Sequence, residues 1–285
     1  MNDQNNLIDG LNTSQILVGL DLGTKTIGVA VSDRSKIIAT PLSIIQRKGT
    51  DKDLIIMKDI LNEYEIGGGN SNELIQKKAK IFENLSNAYS GNKEPKASIS
   101  ASKTSFDLLN SIYSINKNNN LGREAAKICI TISEIYQSIG ELENSKTYSD
   151  QALTILDEIT KDSLLIERDQ YLYATANLQL GLTLGLKEQY SQSREYLELA
   201  IAQFSELVTA IPENINYQFH VAQALGKVAE IEYNTGVEEA EAINNYSIEL
   251  LNNLIIEKPK DAFKHELSKR YYSVAIALNL SLIHI

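Results

Sequence analysis

The sequence predicts a mainly α protein: an α-solenoid of stacked helical hairpins preceded by a small α/β segment. Three observations carry this. From residue 72 to residue 279 apolar residues recur at helical spacing, and the pattern repeats every 48 residues. Residues 16–66 instead follow strand grammar, then one helix. Between them stands Gly67-Gly68-Gly69-Asn70-Ser71, a flexible linker by composition. The expected organisation is a disordered polar tail at 1–15, the α/β segment at 16–66, a linker at 67–71, the helical array at 72–279 and a short tail at 280–285.

In the α/β segment, Ile16 to Leu20 is a short run rich in β-formers, and Asp21 to Thr26 reads as a turn. Ile27 to Val31 is a second strand and Ile37 to Ile45 a third, where Pro41 implies an edge or a bulge. Asp51 to Tyr64 has apolar residues at 54, 55, 57, 60 and 61, the pattern of an amphipathic helix.

In the array, Ala126, Ala174 and Ala222 recur at the 48-residue period, as do Ile132, Leu180 and Val228. Ser133, Gly181 and Ala229 are small at one position, and Tyr148 pairs with Tyr196. Continuing backwards, the series reaches Leu85 from Ser133. Each unit splits into a helix A, such as Arg123 to Ser138, and a helix B, such as Leu142 to Ile159, with breaks near Gly140 and Gly236. Pro212 and Pro259 fall just past B helices, where proline ends a helix at little cost. One such hairpin cannot bury its own apolar face, so stacking stabilises the array.

The small, aromatic and alanine positions, as in Gly181…Tyr196…Ala200, resemble the tetratricopeptide repeat family, although these units are longer than that family's. The resemblance implies a protein or peptide partner held in a groove lined by the A helices. On this chain that face would carry Phe82, Tyr89, Lys127, Glu134, Gln137, Gln223, Glu230, Tyr233 and Asn234. The aromatic residues among them are candidate anchors, or inter-repeat core.

The run Gly19-Leu20-Asp21-Leu22-Gly23-Thr24-Lys25-Thr26-Ile27-Gly28-Val29-Ala30-Val31-Ser32-Asp33, with Ala39-Thr40-Pro41-Leu42 and Arg47-Lys48-Gly49, resembles the pre-16S rRNA nuclease family (YqgF-type, Holliday-junction-resolvase-like). A bare Asp-x-Gly-Thr also resembles the phosphate-binding hairpin of actin-like ATPases. The nuclease resemblance implies an RNase-H-like fold, Asp21 as a catalytic Mg²⁺ ligand, and a hydrolase acting in 5′-end processing of pre-16S rRNA. Thr24, Lys25, Arg34, Arg47 and Lys48, with Lys36 beside them, would then meet phosphate or RNA. Two metals can stabilise the attacking and leaving oxygens of a phosphate, but they need several carboxylates. The family's further acidic ligands do not follow Ile66, so no working nuclease and no cofactor is expected, with Mg²⁺ and RNA required only if the segment is active. Asp33 reads as a turn acid.

Acidic residues outnumber basic ones, 37 to 27, which disfavours nonspecific nucleic-acid binding by the whole chain. The single Cys129 excludes an internal disulfide and thiolate clusters and is read as an apolar helix residue. His220 and His265 lack spaced partners for a metal. With no signal peptide and no long apolar run, a cytoplasmic protein without membrane association is expected. The ending Leu280-Ser281-Leu282-Ile283-His284-Ile285 resembles a translated sequencing adapter, and the change of grammar at Ile66 suggests a join of two genes. On that view few contacts cross Gly68, and removing residues 1–70 leaves the array unaffected.

Overall fold

The computed structural model describes residues 17–33, 35, 37–49, 52–54, 56–57, 71–161, 165–235 and 239–283. Strands β1 (Val18–Leu22), β2 (Thr26–Ser32) and β3 (Ala39–Gln46) form an antiparallel sheet in the order β1-β2-β3. β1 extends further than the sequence suggests, because Asp21 and Leu22 pair with Gly28 and Ile27 instead of joining the turn. The hairpin closes at Gly23, whose N–H donates to the Thr26 carbonyl at 2.9 Å. Pro41 lies on edge strand β3 opposite Ala30, where the register shifts. A residue without an N–H is tolerated at that place. Residues 52–54 and 56–57 are helical; the rest of the expected helix, the 1–15 tail, Gly67 to Asn70 and Gly236 lie outside the described residues.

Nine long helices follow among the described residues: α1 (Ser71–Gly91), α2 (Pro95–Asn116), α3 (Asn119–Ser138), α4 (Leu142–Thr160), α5 (Glu167–Leu186), α6 (Tyr190–Ala210), α7 (Ile215–Thr235), α8 (Ala240–Glu257) and α9 (Asp261–Ile283). Odd-numbered helices are the A helices and even-numbered ones the B helices. Residues 280–283 continue α9. Gly140 takes φ +79° at the α3–α4 break, a conformation that favours glycine. Pro212 and Pro259 stand two residues beyond the ends of α6 and α8.

The chain forms two compact units, Met1–Glu124 and Ala125–Ile285. The division therefore falls within α3, not at the glycine linker. In the first unit, Ile27, Val29 and Ile45 from the sheet and Leu54 and Met57 behind it share one core with Phe82, Leu85 and Tyr89 of α1 and Ala97 and Ala101 of α2. This overturns the expectation that few contacts cross Gly68. The alternation of β2 directs Ile27, Val29 and Val31 to one face, and that face needs a partner. α1 supplies it, because a helical hairpin also has an apolar face left to bury.

Arg47, at the end of β3, reaches the start of α2. Its guanidinium forks onto Glu94, with Nη2 to Oε2 at 2.5 Å and Nη1 to Oε1 at 3.2 Å, and Nη1 donates to the Gly23 carbonyl at 3.3 Å. The fully buried Asp53 carboxylate lies 3.5 Å from Arg47 Nε and accepts the Lys48 N–H at 2.8 Å.

In both units, hydroxyls replace bulk where A and B helices approach. Ser86 meets Ser98 and Ser102, and Ser133 meets Ser145 and Ser149, with Oγ–Oγ distances of 2.6–2.9 Å. The small position of the first hairpin is thus Ser86, not Leu85: the first step is one residue shorter than the later ones. In the third hairpin Gly181 and Leu197 replace two of the serines, and a Cβ on Gly181 would stand 2.8 Å from Leu197 Cγ.

The second unit is cored by Leu178, Leu197, Ala200, Phe204, Leu207, Val221 and Val228, with His220 stacked on Phe204 at 4.8 Å. Burial lowers the pKa of His220, and burial raises that of Cys129 well above the usual thiol range.

Candidate functional site

The nuclease-like residues separate. Asp21 is exposed on β1, and Thr24 and Lys25 are exposed in the hairpin, as is Lys48 after β3. Arg34 and Lys36 lie outside the described residues. Arg47 is not the solvent-facing base the sequence suggested; it is half-buried and spent on Glu94, Asp53 and Gly23. Its pKa is raised chiefly by the hydrogen bonds to Glu94. Asp33 is a turn acid: it accepts the Ser35 hydroxyl and the N–H groups of Ile37 and Ile38, and the Ser35 bond first of all lowers its pKa. Among the described residues no three His, Cys, Asp or Glu side chains gather to hold a metal. The described donors around Asp21 therefore do not fit a two-metal Mg²⁺ site.

Two of the groove candidates are displaced. Phe82 and Tyr89 are fully buried in the core beneath the sheet, with Arg47 over the Tyr89 ring at 5.7 Å. The sheet claims the α1 face that the repeat would otherwise present. Burial raises the Tyr89 pKa.

The remaining candidates lie in the second unit. Lys127, Ile130, Thr131 and Glu134 of α3 and Arg168, Tyr171, Leu172 and Thr175 of α5 line a hollow of about 430 Å³. Glu134 is exposed at this hollow, and the protein packed around it pushes its pKa up to about 7. Gln137 of α3, Leu182 and Leu186 of α5, Gln223, Lys227 and Glu230 of α7, and Glu266, Lys269 and Arg270 of α9 line a second hollow of about 250 Å³. Gln137 Nε2 donates to Thr183 Oγ1 of α5 at 3.2 Å, and Lys227 Nζ to Glu230 Oε1 at 2.6 Å. Tyr233 is half-buried on α7, with its pKa raised by burial, and the Asn234 side chain lies outside the described residues.

Sequence reasoning missed the α5 and α9 contributions. The 48-residue period carries Gln223 and Glu230 back to Thr175 and Leu182, so the α5 positions were within its reach. Arg270 was marked differently: it is the next position after Ala126, Ala174 and Ala222, where the repeat calls for a small side chain.

Residues 15–69 match a family model described as Holliday junction resolvase (RuvX), and residues 126–155 match one described as tetratricopeptide repeat. Similar curated relatives carry the name "Putative pre-16S rRNA nuclease". That of Thermoanaerobacter pseudethanolicus is 53% identical over 51 residues, covering 18% of this chain and 37% of the relative. That of Ruegeria pomeroyi is 54% identical over 52 residues, covering 18% of this chain and 34% of the relative. The chain thus spans little more than a third of these relatives. Among solved structures, the yeast histone chaperone Hif1 aligns with 73% of this chain and 98% of its own, at 14% identity and TM-score 0.49. The chain joins a nuclease-like N-terminal segment to tetratricopeptide-like helical repeats.

Proposed function

We propose that this chain is a protein-interaction scaffold: the A helices of its second unit hold a segment of another protein, and the nuclease-like segment caps the first helical hairpin. The observation that supports the scaffold reading most is the stripe of polar and charged side chains along α3, α5, α7 and α9, hollowed at two places. Such a surface offers hydrogen bonds and apolar walls together, as binding sites do. The capping reading rests on the core shared by the sheet and α1–α2, since terminal repeats need their outer faces covered. Nuclease activity, the rival reading, has the 15–69 match in its favour. Against it stands the lack, among the described residues, of any group of three His, Cys, Asp or Glu side chains that could hold a metal. The reading includes no cofactor, no membrane and a cytoplasmic setting; no described helix is long and apolar enough to cross a membrane.

A photo-crosslinking residue at Gln223, on the inner stripe, should trap a discrete protein in cells, while the same residue at Glu206, exposed on α6, should trap none. Equal labelling from both positions, or none from Gln223, would contradict the scaffold reading.

A further inference from the structure

α9 is covered on one side only. Among its described side chains just Phe263, Glu266 and Arg270 are buried, along one face turned back toward α7 and α8. α5, with a hairpin on either side, is by contrast buried at every residue from 174 to 181. The face of α9 opposite Phe263 holds Ser268, Tyr272, Ala275 and Ile276, at the i, i+4, i+7 and i+8 spacing of a single helical stripe. Tyr272 is 69% exposed, Ile276 43% and the flanking Tyr271 54%. Two tyrosines and an isoleucine side by side in water make an apolar patch of the kind that marks a contact surface.

Charge decides what can approach it. The B helices α6 and α8 carry Glu195, Glu198, Glu206, Glu241, Glu249 and Glu257 against Arg194 as their one base. Two copies of so acidic a chain repel each other over such faces. α9 is the exception. It sets Lys264, Lys269 and Arg270 against Asp261 and Glu266, and from Tyr271 to Ile283 it has no charged residue. An uncharged stripe offers little to a strongly charged partner and meets no repulsion in facing itself. It is also self-complementary in size, since Tyr272 is large while Ser268 and Ala275 on either side of it are small. In an antiparallel pair related by a two-fold axis between residues 273 and 274, Tyr272 of each copy falls over Ala275 of the other, and Tyr271 beside Ile276. Lys264 and Lys269 of one copy then face only the uncharged half of the other, so no like charges meet.

We propose that this stripe is the contact between two copies of the chain, an isologous dimer whose α9 helices cross antiparallel at Tyr272 and Ala275. A single helix crossing buries less than the roughly 800 Å² per partner of a standard interface, so the dimer should be weak, with a Kd of about 10–100 µM. The proposal is independent of what the repeats hold.

The test is sedimentation velocity of the full chain from about 1 µM to about 500 µM, a range that brackets this Kd. The mass should rise from 31.7 kDa toward twice that value and stop there. Tyr272→Glu, at a position exposed in the single chain, should keep the protein monomeric at every concentration with its helix content unchanged. Tyr246→Glu, at an exposed position of α8, should dimerise as wild type does. Cysteine pairing gives a second readout, because the one native thiol, Cys129, is buried. Chains with Tyr272→Cys mixed with chains with Ala275→Cys should form a disulfide-linked dimer under mild oxidation with diamide faster than either chain alone. A mass of 31.7 kDa throughout would overturn the proposal and leave the stripe to another protein. Dimers that survive Tyr272→Glu, oligomers that keep growing past two copies, or equal linkage from every cysteine pairing would overturn it as well.

Discussion

Arg47 shows how one residue's role depends on what is folded beside it. In the sequence it stands in a basic Arg-Lys-Gly run and reads as a nucleic-acid contact; in the fold it ties the end of β3 to the start of α2 through Glu94. The partner is 47 residues away, beyond any local pattern. Because the pair is only partly exposed and forked, Arg47→Ala should lower unfolding free energy by about 1–3 kcal/mol in urea titration, and lysine should not restore it, lacking the fork. An Arg47→Ala protein as stable as wild type would remove this joint from the account. Glu134 makes a second prediction at this scale. The protein packed around this exposed residue raises its pKa from the usual 4.5 to about 7, so the folded state favours the protonated carboxyl. Its favourable contribution is complete below about pH 4.5 and is lost as pH rises through 7. Wild type should therefore lose stability relative to Glu134→Gln between those limits, and above pH 7 the Gln variant should melt higher. Parallel melting curves across that range would show that folding leaves the carboxyl's titration unchanged.

Elements were more legible than side-chain roles. Helix positions followed from 3.6-residue periodicity, because that pattern reflects one face turned to a core, and strand β2 from its strand-forming residues. Pro41 marked an edge strand because it cannot donate to a ladder. The shortened first step of the repeat was hidden, since Leu85 and Ser86 are adjacent and only the approach of α2 shows which one sits at the crossing. The crossing itself is adjustable: three hydroxyls in the second hairpin, a glycine, a serine and a leucine in the third. That exchange predicts coupling. Gly181→Ser alone should destabilise by about 1–3 kcal/mol through the clash with Leu197. Combined with Leu197→Ser it should rebuild the triad around Ser193, so a double-mutant cycle should give a favourable coupling of about 1 kcal/mol or more. Strict additivity would mean the two positions do not share the space.

At the scale of the molecule, two sequence grammars do not make two independent bodies. The glycine run invited a boundary at 67–71, and composition alone gave no reason to doubt it. What composition cannot express is that a three-stranded sheet and a terminal helical hairpin each leave an apolar face unpaired, and that each covers the other. Phe82, Leu85 and Tyr89 are the outcome: residues of the array buried under Ile27, Val29 and Ile45 of the strands. The same burial withdrew Phe82 and Tyr89 from the binding stripe and moved the candidate site to the second unit. The measurement that tests this most directly is deletion of residues 1–70, followed by thermal unfolding and amide hydrogen exchange. The account predicts that the melting temperature falls by many degrees and that α1 and α2 lose protection, because their shared core is stripped of its cover. A deletion protein that melts as wild type does, with α1 and α2 still protected, would contradict it and return the nuclease-like segment to the status of an independent appendage.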